Sequence, residues 1–457
     1  MTSLATHHIV VSWRDLPRWD LKTARAATFR LAHPHFRPLG DFAEEATELV
    51  RPWDRPEAEW PVYGVNNEQG VVFSHRQRGD TFNAPYKRIR KDWFFHNPTR
   101  ANVGSLGCVP DVPEDAITSP EYQVWRLRGE LLPPFVEILL QTSYFREQIA
   151  CHRVGAVKQR LFVHNLLDIP IPVMPLTTQR AILAKWRKVQ TAITAAEECC
   201  RQIDVETNAG FLAELGLRAP TSGPAPRAFA VHWTDFLRWS VSYNQTALTG
   251  MDLTRGRYPV VPLGSILELV QYGTSEKANT HREGVPVLRI SNIKDGELDI
   301  TDLKHIPLPQ KTLARLRLAA GDILIIRTSG SRGLVGTCAV FRESDPYVFA
   351  SYLIRLRTSV ERADPDFVAY FINSVIGRQQ VDAISRQIMQ NNINAQELRS
   401  LQLPLPPLAV QRQIMKKVAA ARARIARERE TARALSAQVA ADMEAYLLGT
   451  KTVPKSQ

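Results

Sequence analysis

The sequence predicts an α+β protein: two tandem α/β domains, each followed by a long helix, with the two helices pairing as an antiparallel coiled coil. Three observations lead to this prediction. The chain repeats itself in collinear order over nearly its whole length, each repeat mixes short β-rich and helical segments, and each repeat ends in an apolar pattern of helical spacing. A long internal repeat defines the domain organisation before any single element is assigned.

The internal repeat has a period of about 220–230 residues, which we attribute to tandem duplication. Residues 13–19, with the sequence WRDLPRW, return as residues 233–239, with the sequence WTDFLRW. In the second half of each repeat the offset becomes constant, so that residues 172–182 correspond one by one to residues 404–414. A single match of this kind could arise by chance, but a collinear series indicates duplication.

The repeat divides the chain into six predicted segments. They are a first domain over residues 1–174, a first spacer helix over 175–215, a linker rich in Pro and Gly over 216–230, a second domain over 231–406, a second spacer helix over 407–448 and a tail over 449–457. In the second domain, residues 286–290 and 322–326 are β-rich and bounded by Gly or Asp, whereas Asp364 before Pro365 predicts the start of a helix.

Each spacer helix carries apolar residues at alternating steps of four and three, which is the spacing of a coiled-coil seam. The register of the first helix returns in the second at this constant offset, with a polar interruption at Glu428 and an expected break at Asp442. Matching seams in a duplicated chain favour antiparallel packing of the two helices. The residues assigned to this seam or to partner docking are Gln179, Ile182, Trp186, Val189 and Ile193 in the first helix and Gln411, Ile414, Val418, Ile425 and Leu435 in the second.

The composition of the 457 residues narrows the class of protein. The chain has 58 Lys and Arg against 46 Asp and Glu, a formal net charge of +12, which favours a polyanionic partner. A hydrophobic fraction of 44% is typical of globular domains, and no apolar run is long enough to predict a membrane span. The five cysteines show no CxxC spacing and no secretory signal is visible, so a reducing cytoplasm is expected.

Motifs of catalysis are missing from the sequence. We find no GxxxxGK[ST] loop, no GxGxxG after a strand, no HExxH and no GxSxG, and residues 97–99 are not the Asn-Pro-Pro-aromatic box of an amino-methyltransferase. His7 and His8 are better explained as part of a loose terminus than as metal ligands. We therefore expect no catalytic residue, no metal and no cofactor bound by this chain, and an enzyme with an unrecognised site is a minor alternative.

Polar and basic clusters suited to nucleic acid occur in both repeats. Arg side chains suit guanine, Asn and Gln suit adenine, and Lys, Ser and Thr suit phosphates. One basic loop alone is more often a solvated surface, but we expect these clusters to follow matching strands in both repeats, which favours DNA contact. The candidate DNA-binding residues are Arg76, Arg78, Lys87, Arg88, Asn97, Arg100 and Asn102 in the first repeat, and Arg327, Thr328, Ser329, Ser331, Arg332, Gln390, Asn391 and Asn392 in the second.

Two segments carry a resemblance to a known family. Residues 401–414, with the sequence LQLPLPPLAVQRQI, and their first-repeat counterpart 169–182 resemble the segment that leads into a conserved helix of the specificity (S) subunit of Type I restriction–modification enzymes. Residues 287–293 and 321–324 resemble that family's target recognition domains. The first repeat departs more from the family's pattern, since Lys-Asp at residues 91–92 is aligned with Gly-Asp at residues 321–322 of the second repeat.

The resemblance implies a non-catalytic DNA-binding role. Two target recognition domains would each read one half of a split double-stranded DNA target, and the paired helices would hold them apart and dock two modification subunits. Those partners would bind S-adenosylmethionine and methylate adenine at N6, and a further motor-nuclease subunit would add restriction. The alternative is a stand-alone, two-headed DNA-binding regulator or scaffold without a methyltransferase partner, which the neighbouring genes would distinguish.

Overall fold

The computed structural model of the protein describes residues 36–218, 228–233, 241, 244, 252–387 and 391–453. Within them the chain divides into two units: unit 1 runs to Glu197 and resumes at Glu430, and unit 2 runs from Glu198 to Arg429. The repeated segment at residues 13–19, most of its copy at 233–239 and most of the predicted linker lie outside the described residues.

Unit 1 is built from short strands and helices, followed by the start of the first spacer helix. Its strands are β1 (Phe36–Pro38), β2 (Ala43–Glu45), β3 (Leu49–Val50), β4 (Glu59–Asn66), β5 (Gly70–Arg78), β6 (Tyr86–Arg88), β7 (Trp93–His96), β8 (Leu106–Cys108), β9 (Ile117–Thr118), β10 (Gln123–Leu127) and β11 (Pro170–Pro172). Its helices are α1 (Pro133–Leu140), α2 (Ser143–His152), α3 (Val163–Leu167) and the first part of the spacer helix α4 (Leu176–Glu214).

Unit 2 has the same kinds of element. Its strands are β12 (Val260–Pro262), β13 (Leu267–Tyr272), β14 (Val285–Leu288), β15 (Ile293–Lys294), β16 (Glu297–Leu298), β17 (Lys304–Ile306), β18 (Ile323–Ile326), β19 (Thr328–Ser329), β20 (Cys338–Val340), β21 (Val348–Phe349), β22 (Leu353–Thr358), β23 (Arg386–Gln387), β24 (Asn391–Asn392) and β25 (Gln402–Pro404). Its helices are α5 (Gln310–Leu316), α6 (Pro365–Asn373), α7 (Val375–Ile384), α8 (Ala395–Arg399) and the first part of the spacer helix α9 (Leu408–Leu447).

The two units share one plan of strand pairing. The four-stranded sheet has the order β2-β10-β7-β8 in unit 1 and β13-β22-β18-β20 in unit 2. A further sheet of each unit contains a parallel pair of strands, β4 with β9 in unit 1 and β14 with β21 in unit 2. The antiparallel pair β1-β11 of unit 1 recurs as β12-β25 in unit 2. Because helices α1 to α3 correspond to α6 to α8 along the chain, the predicted α+β class with two domains, each followed by a long helix, is confirmed.

Local sequence explains where the corresponding helices begin. The carboxylate of Asp364 accepts hydrogen bonds from the backbone N–H groups of Asp366 and Phe367, and Pro365 occupies the first turn of α6. This is the helix predicted from Asp364 and Pro365. Phe367, like its first-repeat counterpart Phe135 in α1, is fully buried in the core of its own unit.

The sequence alignment of the repeats was wrong by one residue at the start of β7. The backbone N–H of Asp92 donates to Val109 as that of Gly321 donates to Phe341, so Asp92, and not Lys91, takes the place of Gly321. Both residues have a left-handed backbone, with φ of 66° and 92°. Asp tolerates this conformation better than most residues, which explains how the position is kept without glycine.

The spacer helices pair in antiparallel fashion. In unit 1, Lys185 Nζ of α4 lies 2.7 Å from Asp442 Oδ2 of α9. In unit 2, Cys200 Sγ lies 3.7 Å from the carbonyl oxygen of Ile425. Partners in α9 therefore have lower numbers as those in α4 rise, which confirms the predicted antiparallel coiled coil. The predicted seam residues are buried or half-buried: Ile182, Trp186, Val189, Ile193, Ile414, Val418, Ile425 and Leu435.

Asp442 does not break the seam, contrary to the prediction. It is only 7% exposed, and its carboxylate accepts hydrogen bonds from Lys185, Lys451 and Gln438. The hydrogen bond from Lys185 and that from Lys451 hold the pKa of this carboxyl well below its usual range. A charged residue at a seam position is thus accommodated because both flanking lysines reach it.

Gln179 and Gln411 do not face the helical seam, which corrects their assignment to it. Both side chains are fully buried against their own domains. The Oε1 atom of Gln411 accepts a hydrogen bond from Asp364 N at 2.8 Å, while its Nε2 donates to Arg362 O and Pro406 O. Gln179 makes the same three contacts with the corresponding residues of the first repeat, Leu132, Glu130 and Met174. Each glutamine therefore fastens the start of its spacer helix to the start of a helix in the preceding domain, α1 for Gln179 and α6 for Gln411.

Candidate nucleic-acid interface

In unit 2 the structure brings together two groups of candidate residues that are far apart in the sequence. The strand β19 pairs with β24, placing Thr328 opposite Asn392 and Ser329 opposite Asn391, and β24 pairs in turn with β23. This small sheet follows β18 directly, so the start of the loop 327–337 lies beside the strands β23 and β24. Gln390 and the side chains of Arg332 and Asn391 lie outside the described part of the structure.

Arg327 is the best-defined candidate of this surface. Its backbone N–H donates to Tyr352 O at 2.9 Å, and its carbonyl accepts from Ile393 N at 2.8 Å. Its guanidinium lies over the ring of Tyr272, 4.8 Å from the centroid, and Nε has no hydrogen-bond partner among the described residues. Within that part of the chain it also has no acidic partner, so the charge and the terminal N–H groups of its guanidinium can serve a phosphate or a guanine edge, whereas Nε is buried.

Two tyrosines beside Arg327 were missed by the sequence analysis. Tyr352 is 56% exposed and Tyr272 is 40% exposed, which is unusual for residues next to buried strands. The hydroxyl oxygen of Tyr272 accepts a hydrogen bond from Ala395 N, which fixes the ring under Arg327. Isolated tyrosines carry no motif, and only their exposure beside a cation identifies them as candidate contacts for sugars or bases.

Unit 1 has a corresponding loop at residues 97–105, which follows β7 as residues 327–337 follow β18. Leu161 N donates to Pro98 O as Ile393 N donates to Arg327 O, so Pro98 occupies the position of Arg327. Arg100 is exposed and Asn102 is half-buried. Asn97 Oδ1 accepts hydrogen bonds from Thr99 N and Oγ1, and therefore shapes the turn.

Buried His96 supports the same loop. Its Nε2 hydrogen-bonds the carbonyl oxygen of Leu161 at 2.9 Å, and because a carbonyl only accepts, Nε2 must carry the proton. Burial of the ring lowers the pKa of His96 to about 4. The ring is therefore neutral at pH 7 and acts as a hydrogen-bond donor that ties the loop 97–105 to the chain that follows α2.

The other basic candidates of unit 1 lie on its five-stranded sheet and not at the loop after β7. Arg76 and Arg78 are on the edge strand β5 and Lys87 and Arg88 on β6. β5 pairs in antiparallel fashion with β4, and β17 pairs in the same way with β14, so β5 corresponds to β17. The expectation that these residues and Arg327 follow matching strands was therefore wrong. The cause is that the offset between the repeats changes along the chain, so that sequence clusters alone do not reveal which loops correspond.

Three of these four basic residues have close partners within the fold. Arg78 forms ion pairs with Asp80 at 2.8 Å and Glu57 at 3.1 Å. Lys87 Nζ donates to Tyr122 O at 2.7 Å, and burial lowers the pKa of this lysine. Arg88 donates to Glu114 O at 2.7 Å. Arg76 is exposed and makes one long hydrogen bond of 3.5 Å, to Glu59 O.

Comparison with known proteins adds independent information. A family model described as Type I restriction modification DNA specificity domain matches residues 257–434. The Type I restriction enzyme EcoKI specificity subunit of Escherichia coli strain K12 is 25% identical over 62% of this chain and 57% of its own length. The Type I restriction enzyme StySPI specificity subunit of Salmonella potsdam is 25% identical over 63% of this chain and 58% of its own length. The matches thus span little more than half of these relatives.

A further relative and a solved structure are also similar to this chain. The putative type I restriction enzyme MjaX specificity subunit of Methanocaldococcus jannaschii is 31% identical over 35% of this chain and 38% of its own length. A solved structure is described as the structural basis underlying complex assembly and conformational transition of the type I R-M system. It is 17% identical to this chain, with a TM-score of 0.55, and the match covers 90% of this chain and 97% of that one. At this identity the likeness concerns the fold alone.

The chain thus has a duplicated α+β domain with a corresponding polar loop in each copy, and paired spacer helices. The chain is similar to type I restriction enzyme specificity subunits, and the matched specificity domain lies in its second repeat. No helix among the described residues is long and apolar enough to cross a membrane. In the same part of the chain no group of three or more His, Cys, Asp or Glu side chains could hold a metal ion.

Proposed function

We propose that this chain is the DNA-binding specificity subunit of a type I restriction–modification complex, and that each repeat reads one half of a bipartite double-stranded target. The observation that carries the proposal is the loop after β18, where Arg327 lies beside two exposed tyrosines without an acidic partner among the described residues. A formal net charge of +12 supports binding to a polyanion.

The candidate residues of unit 2 divide by chemistry into two roles. Arg327 suits a guanine edge or a phosphate, and the hydroxyls of Thr328, Ser329 and Ser331 suit phosphates. The amides of Asn391 and Asn392 suit adenine, whose N6 and N7 atoms pair with a side-chain amide. Since β19 and β24 are hydrogen-bonded neighbours, both groups would meet the same stretch of DNA.

We further propose that the spacer helices dock two modification subunits. In unit 2 a groove of about 480 Å³ lies between the helices, lined by apolar Ile203, Phe211 and Val418 and flanked by charged Glu206 and Lys417. An apolar groove with a charged rim suits the side chains of a partner helix. These partners would bind S-adenosylmethionine and methylate adenine, and a motor-nuclease subunit would cut DNA, so this chain would contribute recognition and no chemistry.

Methylation-sensitive sequencing of the host genome tests the proposal. We expect methylated adenines in a two-part motif with a fixed gap, and we expect them to disappear when the gene for this chain is disrupted and to return on complementation. The purified chain alone should bind DNA that contains the motif and transfer no methyl group. An unchanged methylation pattern after disruption would contradict the proposal.

A further inference from the structure

A short hairpin in unit 1 occupies the place that β23 and β24 occupy in unit 2. Val154 and Arg160 exchange backbone hydrogen bonds of 2.9 and 2.8 Å, and at the corresponding positions of the second repeat Arg386 pairs with Asn392. The backbone bond from Leu161 to Pro98 ties the end of this hairpin to the loop 97–105. The residues 154–160, which we call the tip hairpin, therefore lie beside the candidate reading loop of unit 1.

The shape of the tip hairpin is fixed by its own chain. Arg153 donates to Gln159 O at 2.8 Å and to Thr99 O at 3.4 Å, which holds the base of the hairpin against the loop 97–105. Gly155 has φ of +117°, and a Cβ there would lie 2.6 Å from Lys158 O. Only glycine fits such a position without strain, so the turn and the direction of its tip are defined.

The tip hairpin exposes one apolar side chain next to two positively charged ones. Val157 is 101% exposed, and Lys158 and Arg160 are exposed and form no ion pair among the described residues. Leaving a valine side chain in water forgoes about 1.5–3 kcal/mol that its burial would contribute. The adjacent positive charges point to a polyanion as the surface that covers it.

We propose that the tip hairpin enters a DNA groove, where Lys158 and Arg160 contact phosphates and Val157 contacts the 5-methyl group of a thymine. The inference rests on the proposed function and adds a specificity residue to it. Among the base edges of the major groove, the thymine methyl group is the apolar one, and a valine side chain can form no hydrogen bond with the others. Val157 would thus favour thymine at one position of one half-site.

The first step of the test identifies the DNA. Duplexes that bind the full chain are selected from a random pool, with the wild type and Val157→Ser in parallel. We expect the wild type to select two half-sites with a fixed gap, and Val157→Ser to select the same motif with the preference for thymine relaxed at one position. Val360→Ser, which changes a valine that is 69% exposed in unit 2, is the matched control and should select the wild-type motif.

The second step removes the methyl group from the DNA. Each thymine of the selected duplex is replaced in turn by deoxyuridine, which keeps base pairing and lacks the 5-methyl group. At one position the wild type should lose affinity by on the order of fourfold, the value expected for one buried methyl group, whereas Val157→Ser should lose nothing. Lys158→Ala and Arg160→Ala should each weaken binding to all duplexes and reduce its salt dependence by about one counterion.

The outcomes separate this inference from the proposed function. If the wild type selects a bipartite motif but uracil and thymine bind alike at every position, the methyl contact is refuted and the function stands. If Val157→Ser loses the same affinity for the duplex with thymine as for the duplex with uracil, the methyl contact is also overturned. A valine wedged between two bases would give that result, because it would not sense the methyl group. If the wild type selects no motif at all, the proposed function itself fails.

Discussion

At the scale of single residues, Arg327 has the environment that best defines a DNA contact. Its backbone is held by hydrogen bonds that do not involve the side chain, so Arg327→Ala should leave the loop in place. We expect this variant to lose about 1–3 kcal/mol of binding free energy if Arg327 contacts a base, and to lose it at one half-site only. Titration of duplexes in which one or the other half-site is scrambled measures this difference.

The control for Arg327 is an arginine whose charge is already neutralised. Arg342 is paired with Asp366 in unit 2, the unit of Arg327, so Arg342→Ala should not change recognition of the half-site that Arg327 reads. An equal loss at both half-sites in Arg327→Ala, or no loss, would contradict a reading role for this residue.

His96 gives unit 1 a defined dependence of stability on pH. Its pKa is about 4 in the folded protein and 6.5 in an ordinary solvated histidine. Between these values the unfolded chain binds a proton that the folded chain does not, so stability is fully present above pH 6.5 and falls as the pH is lowered to 4. The loss should reach about 3 kcal/mol, because each unit of pKa difference is worth about 1.4 kcal/mol.

His96→Gln tests this prediction, since a glutamine amide can still donate to Leu161 O but does not titrate. Hydrogen exchange of the β7 amides at pH 7.5 and pH 4.5 measures the stability of this region in both proteins. The advantage of the wild type over the variant should shrink at the lower pH. His75→Gln, on the exposed strand β5, should follow the wild type, and parallel pH profiles of the wild type and His96→Gln would contradict the assignment.

At the scale of elements, the two buried glutamines define how each spacer helix is attached to its domain. Gln411→Ala would leave the N–H of Asp364 without its acceptor and two carbonyls without this donor. A buried polar group left unsatisfied costs about 1–3 kcal/mol, so we expect the free energy of unfolding of unit 2 to fall by roughly 3 kcal/mol. Gln413→Ala, an exposed glutamine of the same helix, is the control and should change it by less than about 0.5 kcal/mol.

Urea unfolding followed by hydrogen exchange at the start of α6 measures both glutamine variants. Equal midpoints for Gln411→Ala and Gln413→Ala would show that the hydrogen bonds of Gln411 do not stabilise the junction. A loss confined to α6 and the start of α9, with unit 1 unaffected, is the pattern that the contacts of Gln411 predict.

The seam of the spacer helices was predictable because its 3–4 spacing depends only on local sequence. The burial of Ile182 and Ile414 follows from that period. The role of Gln179 was not predictable, because the helical period places it near the seam and does not show that the preceding domain covers it. Asp442 was misread for a related reason: its acceptability at a seam position depends on Lys185, which is distant in sequence.

The candidate site was partly predictable. The loop of Arg327 and the residues Asn391 and Asn392 were found separately by composition, but their pairing through β19 and β24 required the fold. Lys158 and Arg160 were missed because each cluster was judged alone. The offset that relates residue 182 to residue 414 also relates Lys158 to Gln390 and Arg160 to Asn392, so the repeat itself held the missing signal.

At the scale of the whole molecule, duplication keeps one framework while the contact residues differ between the copies. Pro98 stands where the second repeat has Arg327, and Lys158 and Arg160 stand where it has Gln390 and Asn392. Different side chains on the same strand order should read different bases. The proposed target is therefore expected to be asymmetric, with two unlike half-sites, even though the two units share a fold.

The spacer helices make a prediction about the gap between those half-sites. They have 39 and 40 residues, and Cys200 of α4 faces Ile425 of α9. Inserting seven residues after Cys200 and seven before Ile425 keeps the seam in phase and adds about 10 Å to each helix, which should widen the gap by about three base pairs. Inserting five residues in α4 alone turns the seam by about 140° and should abolish partner docking and methylation. Methylome mapping of both variants decides the matter: the same half-sites with an unchanged gap in the heptad variant would show that the helices do not set the spacing.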